Sequence, residues 1–370
     1  MAATVLGLSG IGAHAVTDEE VSALLAEAML MPEWETRFTG SFGGGYKDNV
    51  FQAHDNPQGA AFVLAGAELM VLRYDPLGPR FNFFANADAH HYFGNQVSHQ
   101  EYTLFSQAQF ERDFNERFTG SLAAQHYFQD QLLDVSVSET NRQSVPVVGH
   151  TFSLRPSLRM ELPHHNWLAL ETHGTRQLLD EPLDDYWEAG AKLTAGHSYG
   201  WGSKLTLSYE PFWRPYDNDP ARTATGAAIT NSHRLSFRQD ARLAWQHHWN
   251  EAKTWRTTFG LGARLNQENG DGYFDYFRWS ATAKLQYRIR DWTISAEGRY
   301  ANYDYDTQTV SATNPAKRNR TDWSALLEVE RRLAEKLTWV TSYEFETTTS
   351  NDPLEVYTVN TVSTALRWEF

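Results

Sequence analysis

The sequence predicts an all-β fold, a closed antiparallel meander of about sixteen strands preceded by one short N-terminal helix. Three observations carry that expectation. Polarity alternates with a period of two along most of the chain, the connections alternate between long and tight, and no helical periodicity of useful length follows Trp34.

Residues 1-15, MAATVLGLSGIGAHA, are apolar and end in Ala13-His14-Ala15, the form of a signal-peptidase site, so they read as the remnant of a signal peptide. Residues 16-33 follow as an amphipathic helix. Thr17 is its N-cap, Glu20 stands three residues later, Val21, Leu24, Leu25 and Ala28 share one side, and Pro32 stops it. From 34 to 370 the chain divides into alternating segments at 34-46, 60-75, 80-93, 100-115, 116-135, 147-162, 165-180, 184-199, 202-217, 233-249, 254-269, 275-290, 292-308, 320-335, 337-352 and 355-370.

The clearest segment is FRWSATAKLQYRIR. Phe277, Trp279, Ala281, Ala283, Leu285, Tyr287 and Ile289 share one face, while Arg278, Ser280, Thr282, Lys284, Gln286, Arg288 and Arg290 share the other. KLTLSYEPFW repeats the pattern, with Leu205, Leu207, Tyr209, Pro211 and Trp213 opposite Lys204, Thr206, Ser208 and Glu210. In WRTTFGLGARL, Trp255, Phe259, Leu261, Ala263 and Leu265 oppose Arg256, Gly260, Gly262 and Arg264. One face is apolar with aromatic ends, and the other is polar.

Strands of this length exceed those of a soluble sandwich and suit a tilted crossing of a bilayer. Small residues in the middle of the apolar face, flanked by Trp, Tyr and Phe, match a lipid-facing band between interfacial rings. Connections after odd segments are long or polar, the longest being NDPARTATGAAITNS, whereas DPLGPR, PHH, YGWG, RDW and AEK after even segments are tight. In hydrocarbon every unpaired edge N–H or C=O costs several kcal/mol, so the sheet must close on itself.

Composition excludes several functions. The 32 Lys+Arg against 46 Asp+Glu give a net charge of -14, which argues against nucleic acid as a partner. With no Cys there is neither a disulfide nor a thiolate metal site, and no cofactor is expected. A Gly-x-Ser-x-Gly elbow, a phosphate loop and a dinucleotide fingerprint are absent from the sequence, and His233 and Ser236 fall on opposite faces of one segment, so enzymatic activity is not expected. The adjacent pairs His90-His91, His164-His165 and His247-His248 point to opposite faces and do not converge on a metal. Asp217, Asp219, Asp271, Asp304 and Asp306 show no calcium-loop spacing and read as solvated, and the aromatic runs at 300-306 and 185-190 read as girdle and loop-base residues.

The chain ends STALRWEF, with Leu366, Trp368 and Phe370 on one face. This resembles the C-terminal signature of bacterial outer-membrane barrels of porin-like type. The resemblance implies recognition of these three residues by the barrel assembly machinery, and a location in the outer membrane with lipid and lipopolysaccharide as neighbours. GGGYKDNVF at 43-51 is similar to a segment near the start of barrels that export exopolysaccharide or surface lipoproteins. Those families carry long periplasmic repeats, so for this chain the resemblance implies a separate periplasmic partner chain.

Alternation assigns a lumen-facing set: Glu188, Lys192, Lys204, Glu210, Arg238, Asp240, Arg242, Arg264, Arg278, Lys284, Arg288, Glu297, Arg299, Glu328 and Glu330. These side chains either select solutes through their field or pair into a network that holds the wall round. Arg238, Arg242, Arg278, Lys284 and Arg288 give local basic character and favour an anionic solute or polymer. No connection stands out as a constriction loop. The expectation is a channel for passive passage of hydrophilic solutes. An export component and a structural or adhesive barrel with a closed lumen are the alternatives.

Overall fold

The computed structural model describes residues 34–75, 78–94, 100–137, 139, 144–311 and 314–370. The leader at 1-15 and the helix expected within 16-33 lie outside the described residues. Sixteen strands follow one another: β1 (Trp34–Lys47), β2 (Ala60–Arg73), β3 (Arg80–Phe93), β4 (Gln100–Asn115), β5 (Phe118–Asp134), β6 (Ser144–Leu162), β7 (Asn166–Leu179), β8 (Tyr186–Tyr199), β9 (Ser203–Pro215), β10 (Leu235–His248), β11 (Trp255–Glu268), β12 (Tyr276–Ile289), β13 (Trp292–Thr309), β14 (Lys317–Ala334), β15 (Leu337–Ser350) and β16 (Tyr357–Glu369). Each pairs antiparallel with its sequence neighbours, and β1 closes on β16, from Thr39↔Glu369 to Lys47↔Thr361. The only helical element among the described residues is a single 3-10 turn, Pro353–Glu355.

The alternation seen in sequence decides which face each side chain takes. On β12 the outward Phe277, Trp279, Leu285 and Ile289 are exposed, while inward Arg278, Ser280 and Lys284 are half-buried. The same parity carries Leu122, Leu154, Leu170, Leu193, Leu207, Leu261, Leu327 and Val362 onto the outer surface. Among the described residues no second layer covers this belt. Among the described residues the buried apolar side chains form only small clusters, Val50 with Ala60, Phe62 and Tyr92, and Tyr276 with Ala301, Tyr303 and Tyr305. An apolar belt of this extent around a closed wall needs hydrocarbon as its solvent.

The two ends differ. At one end the hairpins are minimal: His164 and His165 both take left-handed backbone (φ 60 and 59), the geometry of a two-residue hairpin whose twist matches its strands. The other end carries the long connections. The seam shows why Gly43 is a glycine: a Cβ there would stand 2.1 Å from the Thr364 carbonyl oxygen and 2.6 Å from Ala365 Cα. The rest of GGGYKDNVF secures the same seam. Asp48 accepts from the Asn360 backbone and side-chain nitrogens, both at 2.7 Å, and Asn49 donates to the carbonyls of Ala53 and Thr358.

Candidate functional site: the lumen and its inward loops

The closed wall leaves one protected aqueous face, its inside, and the register aligns that face strand by strand. Glu210 pairs with Asp240, Asp240 with Arg264, Arg264 with Arg278, Arg278 with Tyr303 and Tyr303 with Arg320. A cavity of about 270 Å³ is lined by Lys192, Glu210, Asp240, Arg242, Arg264 and Arg278. The charged face thus turns inward while Trp, Leu and Phe face out. The chain is a multi-pass barrel of the bacterial outer membrane.

No family model matches the sequence, and no curated protein matches it. Among solved structures, the barrel is similar to OccAB3 of Acinetobacter baumannii, with 8% identity and a TM-score of 0.48 over 91% of this chain and 99% of that chain. It is similar to the outer membrane protein OprD from Pseudomonas aeruginosa, with 11% identity and a TM-score of 0.46 over 91% of this chain and 94% of that chain. For OccK8 (OprE) of Pseudomonas aeruginosa the identity is 9% and the TM-score 0.49, over 91% and 98% of the two chains.

The lumen is narrowed from the loop end by two connections. After β5 the chain turns inward and reaches β14, on the opposite side of the ring. Arg320 pairs with Asp134 at 2.6 Å and donates to Ser136 Oγ at 2.5 Å, and Val137 packs on the Tyr276, Ala301, Tyr303 and Tyr305 cluster. Glu139 lies 3.3 Å from the buried Arg234, and burial raises its carboxyl above the ordinary value while Arg234 pulls the other way. Between β1 and β2 the chain also folds in: Val50 is fully buried, and Gln52 Oε1 accepts from Ser144 Oγ at 2.7 Å. A cavity of about 410 Å³ at this level is lined by Gln52, Asp134, Arg278, Arg320 and Tyr357 among others. Its Arg278 also borders the 270 Å³ chamber. Lys192 joins that chamber to a third, of about 310 Å³, lined further toward the tight turns by Glu111, Arg159, Trp167 and Glu171. The inward turn after β5 was not legible as a constriction in sequence, because the hydrogen bond of Ser136 to Arg320 spans 184 positions.

The candidates divide by partner. Glu188 pairs with Arg214 at 2.8 Å, Asp240 with Arg264 at 2.6 Å, Glu297 with both Lys284 and Arg299, and Glu330 with Arg367. Glu188 and Glu210 each stand 3.5 Å from the ring of His173, which is buried between them. Lys192, Lys204, Arg238, Arg242, Arg278 and Arg288 have no ion-pair partner among the described residues, and neither does Glu328. Arg238 donates to Asn266 and lies over Phe212, while Arg278 lies over Tyr303. Sequence reasoning missed Arg214 and His173, and it placed Arg256 on the polar face of its strand without carrying it into the lumen-facing set, although each follows the inward parity of its strand. It also missed Arg320, whose inward parity on β14 was the available signal, and Asp134 and Ser136, for which no sequence signal exists.

The His pairs fall as their adjacency requires. His90 lies near Glu101 on the inside, while its neighbour His91 meets Phe93 edge-to-face outside; His247 stacks with Trp245 and Tyr199, and His248 bonds Gln246. At the C-terminus Trp368 and Phe370 are exposed on the outer face, and the Phe370 N–H donates to the Phe38 carbonyl at 2.9 Å.

Proposed function

We propose that this barrel is a passive channel for small hydrophilic solutes with a preference for anions. The observation that carries the reading is the run of uncompensated cations on the inner faces of β8 to β12. Arg238 and Arg278 stand toward the loop end of their strands, Lys192 and Arg242 near the middle, and Lys204, Arg256 and Arg288 toward the tight turns. A solute anion moving inward would exchange one cation for the next. No step requires a deep well, which is what passage rather than retention demands. Asp134, Arg320 and the inward loops would set the size limit, and the paired carboxylates hold the neighbouring arginines in place.

Planar-bilayer recording of the purified barrel in a KCl gradient tests this directly. Steady conductance with a chloride-to-potassium permeability ratio above one is expected. A silent barrel, or one that prefers potassium, refutes the reading. The outward row of Leu366, Trp368 and Phe370 supports a second proposal, that the assembly machinery reads this strand end.

A further inference from the structure

On the outer face of β5 and β6, away from the lumen, two imidazoles meet. His126 stands opposite Phe152 and His150 opposite Phe128, so the histidines are diagonal neighbours across the strand pair. His126 Nε2 lies 3.1 Å from His150 Nδ1. Their rings are nearly parallel, 14° apart with centroids at 5.4 Å. His126 stacks on Phe152 at 4.8 Å and His150 packs on Phe128 at 4.9 Å. This four-ring assembly orders both side chains in advance, so little rotamer entropy remains to be lost when a ligand arrives. Asp130 shares the outward parity two residues beyond Phe128. A carboxylate there places the pair at the loop-side edge of the apolar belt, within reach of external water.

We propose that His126 and His150 form a two-imidazole site for a divalent first-row transition metal such as Cu2+, Ni2+ or Zn2+. With metal–nitrogen bonds of about 2.0–2.1 Å, two nitrogens at this separation subtend roughly 95–100° at the metal, between the cis angle of tetragonal sites and the tetrahedral angle. In the metal-free pair one neutral ring donates its N–H to the other. Binding uses the lone pairs of His126 Nε2 and His150 Nδ1, and the proton between them moves to the remaining nitrogen of its own ring, so both stay neutral. Among the described residues no third His, Asp or Glu joins the pair, so water completes the coordination. Nitrogen donors select against Mg2+ and Ca2+, which prefer oxygen. β5 leads into the inward residues 135–137 and β6 pairs with it along its length, so an occupied site would tie the two strands together from outside.

The test is calorimetric titration of the full folded chain in detergent with CuCl2, ZnCl2 and MgCl2. One saturable Cu2+ site of micromolar Kd is expected, with weaker Zn2+ and no Mg2+ uptake. His126→Asn and His150→Asn should each weaken Cu2+ binding at least tenfold, whereas His164→Asn in a tight turn leaves it unchanged. Electron paramagnetic resonance of the Cu2+ form should show two nitrogen ligands in the wild type and fewer in either variant. Retained folded-barrel mobility on an unheated gel separates loss of the site from loss of the fold. Equal Cu2+ binding by wild type and both variants, or no saturable uptake below millimolar copper, overturns the proposal. Because the site lies outside the lumen, neither outcome depends on the channel reading.

Discussion

Arg320→Ala should release the loop that crosses the lumen. Arg320 is nearly buried, and its guanidinium pairs with Asp134 at 2.6 Å and Asp322 at 2.7 Å while donating to Ser136 Oγ. Removing it leaves the largely buried Asp134 without its counter-charge in the docked arrangement. Breaking one side of a buried pair costs about 3–5 kcal/mol. At about 1.4 kcal/mol per tenfold, that moves the docked-to-released ratio by about two to three and a half orders of magnitude. The wall itself should persist, because β13, β14 and β15 are held by backbone pairing that the substitution does not touch. Single-channel recording reads the result as a larger mean conductance with greater open-channel noise. Arg320→Lys, which keeps the charge but loses the fork geometry, should lie between the two. Unchanged conductance and noise in a folded Arg320→Ala barrel would show that the loop is not the constriction.

Three further outcomes follow from other parts of the wall. Arg242→Gln with Arg278→Gln removes two cations that have no ion-pair partner, so the chloride-to-potassium permeability ratio should fall several-fold while conductance persists; a constant ratio would place selectivity elsewhere. Gly43→Val forces a Cβ within 2.1 Å of the Thr364 carbonyl at the seam, whereas at Gly298 a Cβ meets nothing within 4 Å. Gly43→Val should therefore lower the temperature at which folded mobility is lost, by overpacking of about 1–3 kcal/mol, while Gly298→Ala leaves it unchanged. Asp217, in the connection after β9, accepts from Arg176 at 2.6 Å, and this hydrogen bond holds its carboxyl below the ordinary range. Its contribution is therefore complete above the unfolded value and lost as pH falls through the lowered folded one. Loop exchange near Tyr216 should be flat across neutral pH and rise only in strong acid; the Asp217 carboxylate is partly exposed to solvent, so the effect stays under about 1 kcal/mol, and Asp217→Asn abolishes it.

The wall was legible because a strand in a bilayer answers to one rule at every position. Trp279 must face lipid and Arg278 must not, so the boundaries of all sixteen strands could be placed to within three residues, and β3 and β4 match at both ends. The rule ends where the membrane does. Beyond Asp134 the chain meets water, protein or the lumen, and alternation carries no information about which. Arg320 lies on β14 with ordinary inward parity; its tie to Ser136 follows only from the ring's curvature, which brings β5 and β14 face to face. Loop docking depends on closure, and closure is a property of all sixteen strands together.

Net charge is equally uninformative about the lumen, because the acids and bases occupy different dielectric settings. A surface cavity at the loop end is lined by Glu139, Glu181, Asp184, Asp185 and Asp219, with Arg222 its one cation. An anion entering from outside meets this acidic rim before it meets Arg238 or Arg278. Glu139, Asp185 and Asp219 are paired with Arg234, Arg176 and Arg222, whereas Glu181 and Asp184 have no ion-pair partner among the described residues and act over about one Debye length, about 10 Å at 0.1 M salt and about 3 Å at 1 M. Arginines inside a low-dielectric wall are screened far less. Raising ionic strength should thus silence the rim before the lumen, so anion preference should strengthen from dilute to moderate salt and decline only when the inner cations are screened in turn. A preference that falls steadily from the lowest salt would mean that the rim exerts no control over entry. The acidic total would then be a matter of solubility alone.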